Sequence, residues 1–575
     1  MDIKELSMER AREWLSDKYD KATREAVADM IKNDPQEVVE SFHKDLEFGT
    51  GGMRGIMGVG TNRMNKYTIG AATQGLADYL KEQFPGRRIS VVIGCDVRHN
   101  SDKFSRLCAE ILSANGIKAY LFDSFRPTPE ISFAIRYLGS QSGIIITASH
   151  NPPKYNGYKA YWDDGSQVVP PHDKGIIDKV AGVKPEDIKF TPDENLIEII
   201  GEKVDKAFVD AAVANGSSDA TGRDDFKIVY TPIHGTSFKA MIPALKEAGF
   251  KNVITVPEQM IPSGDFPTVK SPNPENPEAL SMAMDLAYKT GADMVVGTDP
   301  DADRIGIAVR NLKGELQLLN GNETNTVLIA YLLERWRKAG KLNGHQFIGS
   351  TIVTSDIFFK IADLYGVECK AGLTGFKWIA DMIRKAEGKQ EFVGGGEESF
   401  GFLVGDFVRD KDSITTTVLA SEIASVAKAK GSSFFKELLK IYEKTGMYRE
   451  SLVNIVREGL SGAQEIKAMM DNLRENPLKT IDGSPVVKIN DYKTSISKDM
   501  TTGAQTSIDI PKSDVLIYYT ADGTKVAARP SGTEPKIKFY FSVNTPFTGE
   551  AEYDEKVKML DDKLARIISE MGLES

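Results

Sequence analysis

Apolar positions along this chain change their period several times, and each change marks a change of element. From Lys4 to about Lys44 they recur at helical spacing, with Asn33-Asp34-Pro35 as a break between helices. After the glycine-rich run FGTGGMRG at 48–55 the pattern becomes short apolar runs separated by longer amphipathic stretches. Residues 88–96, 117–122 and 143–149 read as buried strands, with helices between them. The same rhythm restarts at 226–232, continues through 252–256 and reaches 292–299. A third stretch from about Gly321 holds strand-like runs at 348–355, 367–372 and 391–396. From about Met447 the grammar shifts to a helix-like run at 462–475 and strand-like runs at 514–522 and 536–543. The fold class expected is therefore α/β, with a smaller C-terminal α+β domain. The boundaries expected are 1–45 for a helical lead-in, then domains at 46–205, 206–318, 319–446 and 447–575.

Length and charge narrow the function classes. A chain of 575 residues is too long for one core. The net charge of −10 speaks against a general binder of nucleic acid or anionic membranes, which needs excess Lys and Arg. Small anionic substrates fit if basic residues converge locally. Only Cys95, Cys108 and Cys369 are present, without a C-x-x-C pair, so neither a disulfide framework nor a zinc site is suggested. The charged, helix-like N-terminus lacks the pattern of a signal peptide, and no apolar run nears the roughly 20 residues of a membrane span. The expected location is the reducing cytoplasm.

Two loops stand out chemically. TDPDADRIG at 298–306 places Asp299, Asp301 and Asp303 directly after an apolar strand. Oxygen ligands at alternate positions suit a hard cation such as Mg²⁺. An acidic surface turn is the plain alternative, and its weakness is the mutual repulsion of crowded carboxylates. An EF-hand reading fails because Arg304 stands where that loop needs Gly and Arg310 where it needs Glu. TASHNPPKYNGYKAY at 147–161 follows another buried strand, where open α/β sheets gather ligands. A lone Ser149 is ordinarily a turn hydrogen-bonder. Its neighbours His150, Lys154 and Lys159 raise it to a candidate nucleophile for phosphoryl chemistry, with Lys159 able to move a proton if burial or nearby cations lower its pKa.

TASHNP, TDPDADR, GEESFG at 396–401 and RPSGTEP at 529–535 occur in the order found in the α-D-phosphohexomutase family, which the chain resembles from about Phe48 to its last domain. The resemblance implies four domains around a central cleft, three of related topology. It implies a phosphoserine at Ser149 and Mg²⁺ held by Asp299, Asp301, Asp303 and Ser149. Arg54 and Arg304 match family arginines near the phosphoserine, and His150 and Lys159 match residues of support or proton transfer. Glu397 and Ser399 match a sugar-binding loop; Thr374, Gly375 and Lys377 match a second substrate loop. Arg529, Ser531, Gly532 and Thr533 match a site for the phosphate that is not reacting, and a forked guanidinium beside turn amides suits a dianion.

Phe400-Gly401 follows the E-x-S where a mannose-using branch often carries histidine, which favours the glucose-type branch. The implied reaction interconverts glucose 1-phosphate and glucose 6-phosphate through glucose 1,6-bisphosphate. Mannose and pentose phosphates stay open as substrates of the same chemistry. So does a metal-dependent phosphatase working through a phosphoserine, against which the sugar loop and second phosphate site count. A binding protein that lost turnover is the non-enzyme alternative. Small sugar phosphates are the expected partners, and oligomeric state is not readable. All of this requires Ser149 and the three aspartates to converge on one cation.

Overall fold

The computed structural model describes residues 2–49, 52–457, 459–531 and 536–574. Three helices open the chain: α1 (Ile3–Glu13), α2 (Lys21–Asn33) and α3 (Pro35–Phe42). The break falls at the expected tripeptide because Asp34 ends α2 while its carboxylate caps Glu37 N at 3.0 Å and Pro35 starts α3. Their apolar faces bury Trp14, Tyr19, Val27, Val38 and Phe42 together with Tyr67.

The first sheet is built from β1 (Gly52–Ile56), α4 (Lys66–Gln83), β2 (Ser90–Cys95), α5 (Ser101–Ala114), β3 (Lys118–Phe122), α6 (Thr128–Leu138), β4 (Ser142–Ile146), β5 (Tyr155–Trp162), α7 (His172–Gly182) and β6 (Ile197–Ile200). Its strand order is β1-β5-β4-β2-β3-β6, with β5 antiparallel to β4 and to β1. Side chains alternate across a strand, so Val91 and Ile93 pack toward α5 while Val92 and Ile145 pack toward α6. The chain runs outward from β2 to β3 and then returns past β2 to β4. The loops after β2 and β4 therefore diverge, making the switch point at which such sheets bind ligands. Ser149 lies in the loop after β4.

Helix α8 (Glu202–Gly216) leads to β7 (Lys227–Thr231), α9 (Phe238–Glu247), β8 (Asn252–Thr255), α10 (Ser281–Thr290), β9 (Met294–Thr298), β10 (Ile305–Arg310) and β11 (Leu316–Leu319), in the order β11-β10-β9-β7-β8. Thr298 pairs with Ile305, so residues 299–304, which hold all three aspartates, form the turn between β9 and β10. Next come α11 (Gly321–Lys338), β12 (Gln346–Thr351), α12 (Ile357–Tyr365), β13 (Glu368–Gly372), α13 (Phe376–Ala386), β14 (Glu391–Glu397), β15 (Gly401–Val404) and α14 (Ser413–Ala429). Strands β12 and β13 are parallel; β14 and β15 form a hairpin whose turn is 398–400.

The C-terminal part contains α15 (Phe434–Thr445), β16 (Met447–Val456), α16 (Gly459–Glu475), β17 (Thr480–Ile481), β18 (Ser484–Asp491), β19 (Ile496–Asp499), β20 (Gln505–Ser507), β21 (Leu516–Thr520), β22 (Lys525–Pro530), β23 (Lys536–Thr545) and α17 (Tyr553–Glu570). Its sheet runs β16-β23-β22-β21-β18-β19-β20, with β17 on β18. This is the expected mixed α/β architecture with a β-rich C-terminal part. Two compact units result: Met1–Thr324 with Phe376–Ser433, and Asn325–Gly375 with Phe434–Ser575. The loops of Ser149, the aspartates and Glu397 all belong to the first. No helix among the described residues is long and apolar enough to cross a membrane.

Within the first unit the buried Glu422 of α14 fastens the link between the first two sheets. It accepts from Ser218 N (2.6 Å), Asp219 N (2.8 Å), Ser218 Oγ (2.8 Å) and Arg223 Nη2 (2.8 Å). Removing the carboxylate leaves the buried Arg223 guanidinium without its counter-charge. Glu422→Ala is expected to destabilise the first unit by roughly 3–5 kcal/mol. A calorimetric scan checks this, and an unchanged melting temperature would refute it.

Candidate active site

The turn between β9 and β10 is wrapped around its own first carboxylate. Asp299 Oδ1 accepts the N–H groups of Asp303 (3.1 Å) and Arg304 (3.0 Å), and Ala302 sits at φ 59° to allow the wrap. Asp299, Asp301 and Asp303 are all buried, and one oxygen from each lies within 4.8 Å of the others. Asp301 Oδ1 and Asp303 Oδ1 are buried with no hydrogen-bond partner among the described residues. Buried acceptors left open in an all-oxygen set fit a hard divalent cation.

Cations already crowd this turn. Lys159 Nζ, from β5, is 2.9 Å from Asp301 Oδ2 and 3.4 Å from Asp303 Oδ2. Lys411 Nζ, in the segment before α14, is 3.1 Å from Asp303 Oδ2 and 3.2 Å from Asp410 Oδ1. Burial, followed by repulsion from Asp301 and Asp303, pushes Asp299 well above the usual carboxylate range. Burial pushes Asp303 the same way, yet Lys411, Lys159 and Arg304 together outweigh it and hold the carboxyl below its ordinary value. For Lys159 burial acts as the sequence reading allowed, toward a lower pKa. The charges of Asp301 and Asp303 overcome it, so this lysine is held as an ammonium.

Ser149 meets the acidic turn directly: its Oγ donates to Asp299 Oδ2 at 3.0 Å and stands 3.2 Å from His150 Nδ1. Ser149 and the three aspartates, which the sequence reading grouped, lie side by side. His150 is driven far below its usual pKa by burial and then by Arg304 and Arg54, which leaves a neutral ring beside the hydroxyl. Ser149 itself has φ 50°, a strained setting for a residue with a side chain. Arg98, in the loop after β2, holds it there. Its Nη2 donates to Ser149 O (2.6 Å) and to Asn151 O, while Nη1 donates to Pro152 O (2.9 Å) and Tyr155 O (3.1 Å). Asp96, 3.2 Å from Arg98 Nε, anchors that guanidinium. Asp96 also accepts from Thr147 Oγ1 (2.7 Å), which in turn accepts Ser149 N (2.9 Å). Gly157 lets the loop pass so closely, since a Cβ there would stand 2.4 Å from Thr147 O.

The amino end of α6 supports the turn from the other side: Thr128 N donates to Asp301 O (2.8 Å) and Thr128 Oγ1 to Asp301 Oδ2 (3.3 Å). Arg54 Nη1 donates to Asn151 Oδ1 at 2.7 Å. Arg304 forms an ion pair with Glu275. Glu397, at the end of β14, is raised to about 7 by burial, against the pull of Lys411. Half-buried Lys377 is lowered to about 8 by burial, with Asp173 opposing.

Ser149, His150, Lys159, Arg54, Arg304 and the three aspartates thus gather in one place, with Glu397 in their electrostatic reach. Ser399 lies in the turn after β14. Thr374, Gly375, Arg529 and Ser531 belong to the second unit, and Gly532 and Thr533 lie outside the described residues. Residue reading missed Lys411, Arg98, Thr147, Thr128 and Glu275. The run RDKD at 409–412, two cations and two carboxylates in four places shortly after the turn at 398–400, was a usable signal for Lys411.

Residues 45–186, 206–314 and 320–442 match, in turn, the models for α/β/α domains I, II and III of phosphoglucomutase/phosphomannomutase. A phosphoglucomutase of Staphylococcus haemolyticus (strain JCSC1435) is 36% identical over 509 residues, 88% of this chain and 91% of its own. One from Staphylococcus aureus (strain MRSA252) is 37% identical over 517 residues, with the same 88% and 91% coverage. Among solved structures, pp63/parafusin, a phosphoglucomutase from Paramecium in an open form, aligns with a TM-score of 0.65 at 17% identity, over 91% of this chain and 95% of its own. A phosphoglucomutase/phosphomannomutase family protein from Burkholderia thailandensis gives 0.65 at 19%, over 91% and 96%. At such identities these two structures speak for the fold alone.

If Arg98 sets the Ser149 loop, Arg98→Met should free it. Hydrogen exchange of the amides at 149–155 is expected to accelerate roughly tenfold or more, since bonds to a charged donor contribute about 1.5–3 kcal/mol each. Unchanged protection would show that the loop holds itself.

Proposed function

The chain belongs to the phosphoglucomutase/phosphomannomutase family, and on that premise we propose that it interconverts glucose 1-phosphate and glucose 6-phosphate through a phosphoryl group carried by Ser149. The observation that carries this reading is Ser149 Oγ at 3.0 Å from Asp299, beside two buried carboxylate oxygens that accept no hydrogen bond from the described residues. Asp299, Asp301, Asp303 and Ser149 would hold Mg²⁺, which when bound neutralises charge on the oxygens of the transferred group.

The protein's own groups do the rest. Accelerations of phosphate-monoester chemistry reach ~10²¹-fold, well over roughly 20 kcal/mol, which no single residue supplies. A loose, metaphosphate-like transition state needs positioning and charge stabilisation more than it needs a strong base. Lys159, Arg304 and Arg54 supply fixed positive charge where the phosphoryl oxygens spread their own. When the sugar hydroxyl attacks, its oxygen bonds phosphorus and gives up its proton, the P–Oγ bond breaks with its electron pair on Oγ, and the released proton ends on Oγ, relayed by neutral His150, whose Nδ1 stands 3.2 Å from that oxygen.

Glu397 and Ser399 bind two neighbouring hydroxyls in either sugar orientation, which lets the bisphosphate turn over and return its other phosphate. Thr374, Gly375 and Lys377 contact the substrate, and Arg529 with Ser531 takes the idle phosphate. Glucose 1,6-bisphosphate is thus both intermediate and priming agent.

Incubation with glucose 1-phosphate and a trace of the bisphosphate should yield glucose 6-phosphate. Ser149→Ala should abolish this while sugar-phosphate binding persists. Release of inorganic phosphate instead would make the protein a hydrolase, and faster turnover of mannose or ribose 1-phosphate would move the assignment to those sugars.

The Lys377 role adds a pH signature. Its ammonium is present below about 8 and lost above it, so affinity for the phosphorylated substrate falls as pH rises through that value. Lys377→Arg keeps the charge and is expected to remove this alkaline limb from kcat/KM. A limb that persists in the arginine variant would exclude Lys377 as its source.

A further inference from the structure

Residues 1–44 lie ahead of the first family match, which begins at 45. They are fixed to the remainder of the first unit at two separate places. One is a packing contact with α4, where Tyr67 joins the Trp14–Tyr19–Phe42 cluster and its hydroxyl accepts Asp20 N at 2.6 Å. The other is polar and grips the turn at 57–65, between β1 and α4. Asn62 N donates to Ser41 O (2.9 Å), Asn62 Nδ2 to Glu40 O (3.1 Å) and Arg63 Nη1 to Glu40 O (3.1 Å). Arg63 Nη2 also reaches Glu37 Oε1 at 2.9 Å, and Thr61 Oγ1 donates to Lys44 O at 2.7 Å. Gly60 is needed for this approach: it has φ 124°, and a Cβ would stand 2.6 Å from Ser41 O.

This second contact solves a problem at each side of it. Carbonyls at the end of a helix lack intrahelical partners and carry partial negative charge. Those of α3 are met by the turn, with the buried Arg63 guanidinium placed among them. The turn in turn belongs to a weak strand. β1 is a five-residue edge strand, GMRGI, with two glycines, and such a strand holds its register poorly without help. Its central residue is Arg54, opposite Gly157 on β5, and its end is tied to the Ser149 loop through Met57 N and Lys154 O at 2.9 Å.

We propose that helices α1–α3 are a positioning clamp for the active site: α3, through Glu37, Glu40 and Ser41, fixes the 57–65 turn, and the turn fixes the register of β1 that presents Arg54 to the Ser149 loop. The inference rests on the role given above to Arg54. Arg63 and Glu37 are positioning residues, since neither touches the reacting groups.

The test compares the two attachments in the full chain. Arg63→Met should lower kcat roughly tenfold or more, since small misplacements of a charge-stabilising group cost that much, with KM changed by less than about twofold. Glu37→Gln should act in the same direction and more mildly. Tyr67→Phe weakens only the other attachment and should lower the melting temperature with kcat intact. In an Arg54→Ala background, Arg63→Met should cause no further loss of kcat. If Arg63→Met behaves as Tyr67→Phe does, losing stability alone, the clamp is only packing and the proposal falls. If Arg54→Ala itself retains kcat, the role of Arg54 fails first and the clamp has nothing to position.

Discussion

Repulsion among three buried carboxylates at the end of β9 is the constraint to which the rest of the first unit answers. Two unit charges about 4 Å apart interact by roughly 4 kcal/mol even at an effective dielectric of 20. Three of them with oxygens inside 4.8 Å are untenable without compensation. Compensation comes from four directions. Backbone amides of the turn bond Asp299, the amino end of α6 meets Asp301, Lys159 reaches in from β5, and Lys411 from the segment before α14. Elements far apart in sequence must therefore converge on this turn, and the resulting charge pattern is the one a divalent cation and a phosphoryl group need.

The same site stores backbone strain in a regular way. Ser149 has φ 50°, Ala302 φ 59° and Phe400 φ 63°, one residue in each of the loops that face one another here. Each such residue costs of order 1–3 kcal/mol unless its surroundings hold it. Arg98 holds the first. Ser413 Oγ holds the second by donating to Ala302 O at 2.7 Å, and Ile305 N holds the third by donating to Phe400 O at 3.0 Å. The first of these two bonds ties α14 to the aspartate turn and the second ties the 398–400 turn to it, so these segments are fixed relative to one another.

What could be read from residues alone follows the strength of the local signal. Buried inner strands such as β2, β4 and β9 were legible because they are nearly continuous apolar runs. Strands β1 and β5 were not: GMRGI is rich in glycine and YNGYKAYW is polar and aromatic, and both are strands because of what they pair with. The aspartates were legible because crowded acids demand a cation. Arg98 was hidden because its partners are carbonyls, which no sequence pattern announces. Lys159 shows the limit of arguing from burial: the lysine is buried, yet two carboxylates within 3.4 Å decide its state. The opening helices were legible as helices, while their grip on the 57–65 turn depends on carbonyls that every helix end possesses.

Charge balance also sets how the cations around Ser149 are engaged. Asp299, Asp301 and Asp303 face Lys159 and Lys411, while Arg304 is occupied by Glu275 and Arg54 by the neutral Asn151. A phosphoryl group on Ser149 adds roughly 1.5 to 2 negative charges. That addition suits a turn whose own carboxylates are bound to a divalent ion, because the lysines that now face Asp301 and Asp303 are then free to face phosphoryl oxygens. Arg54 can leave a neutral amide for a dianion at little cost, whereas Arg304 must exchange one anion for another. The two arginines are therefore unequal in what they give up, and Glu275 sets the resting state against which Arg304 binds.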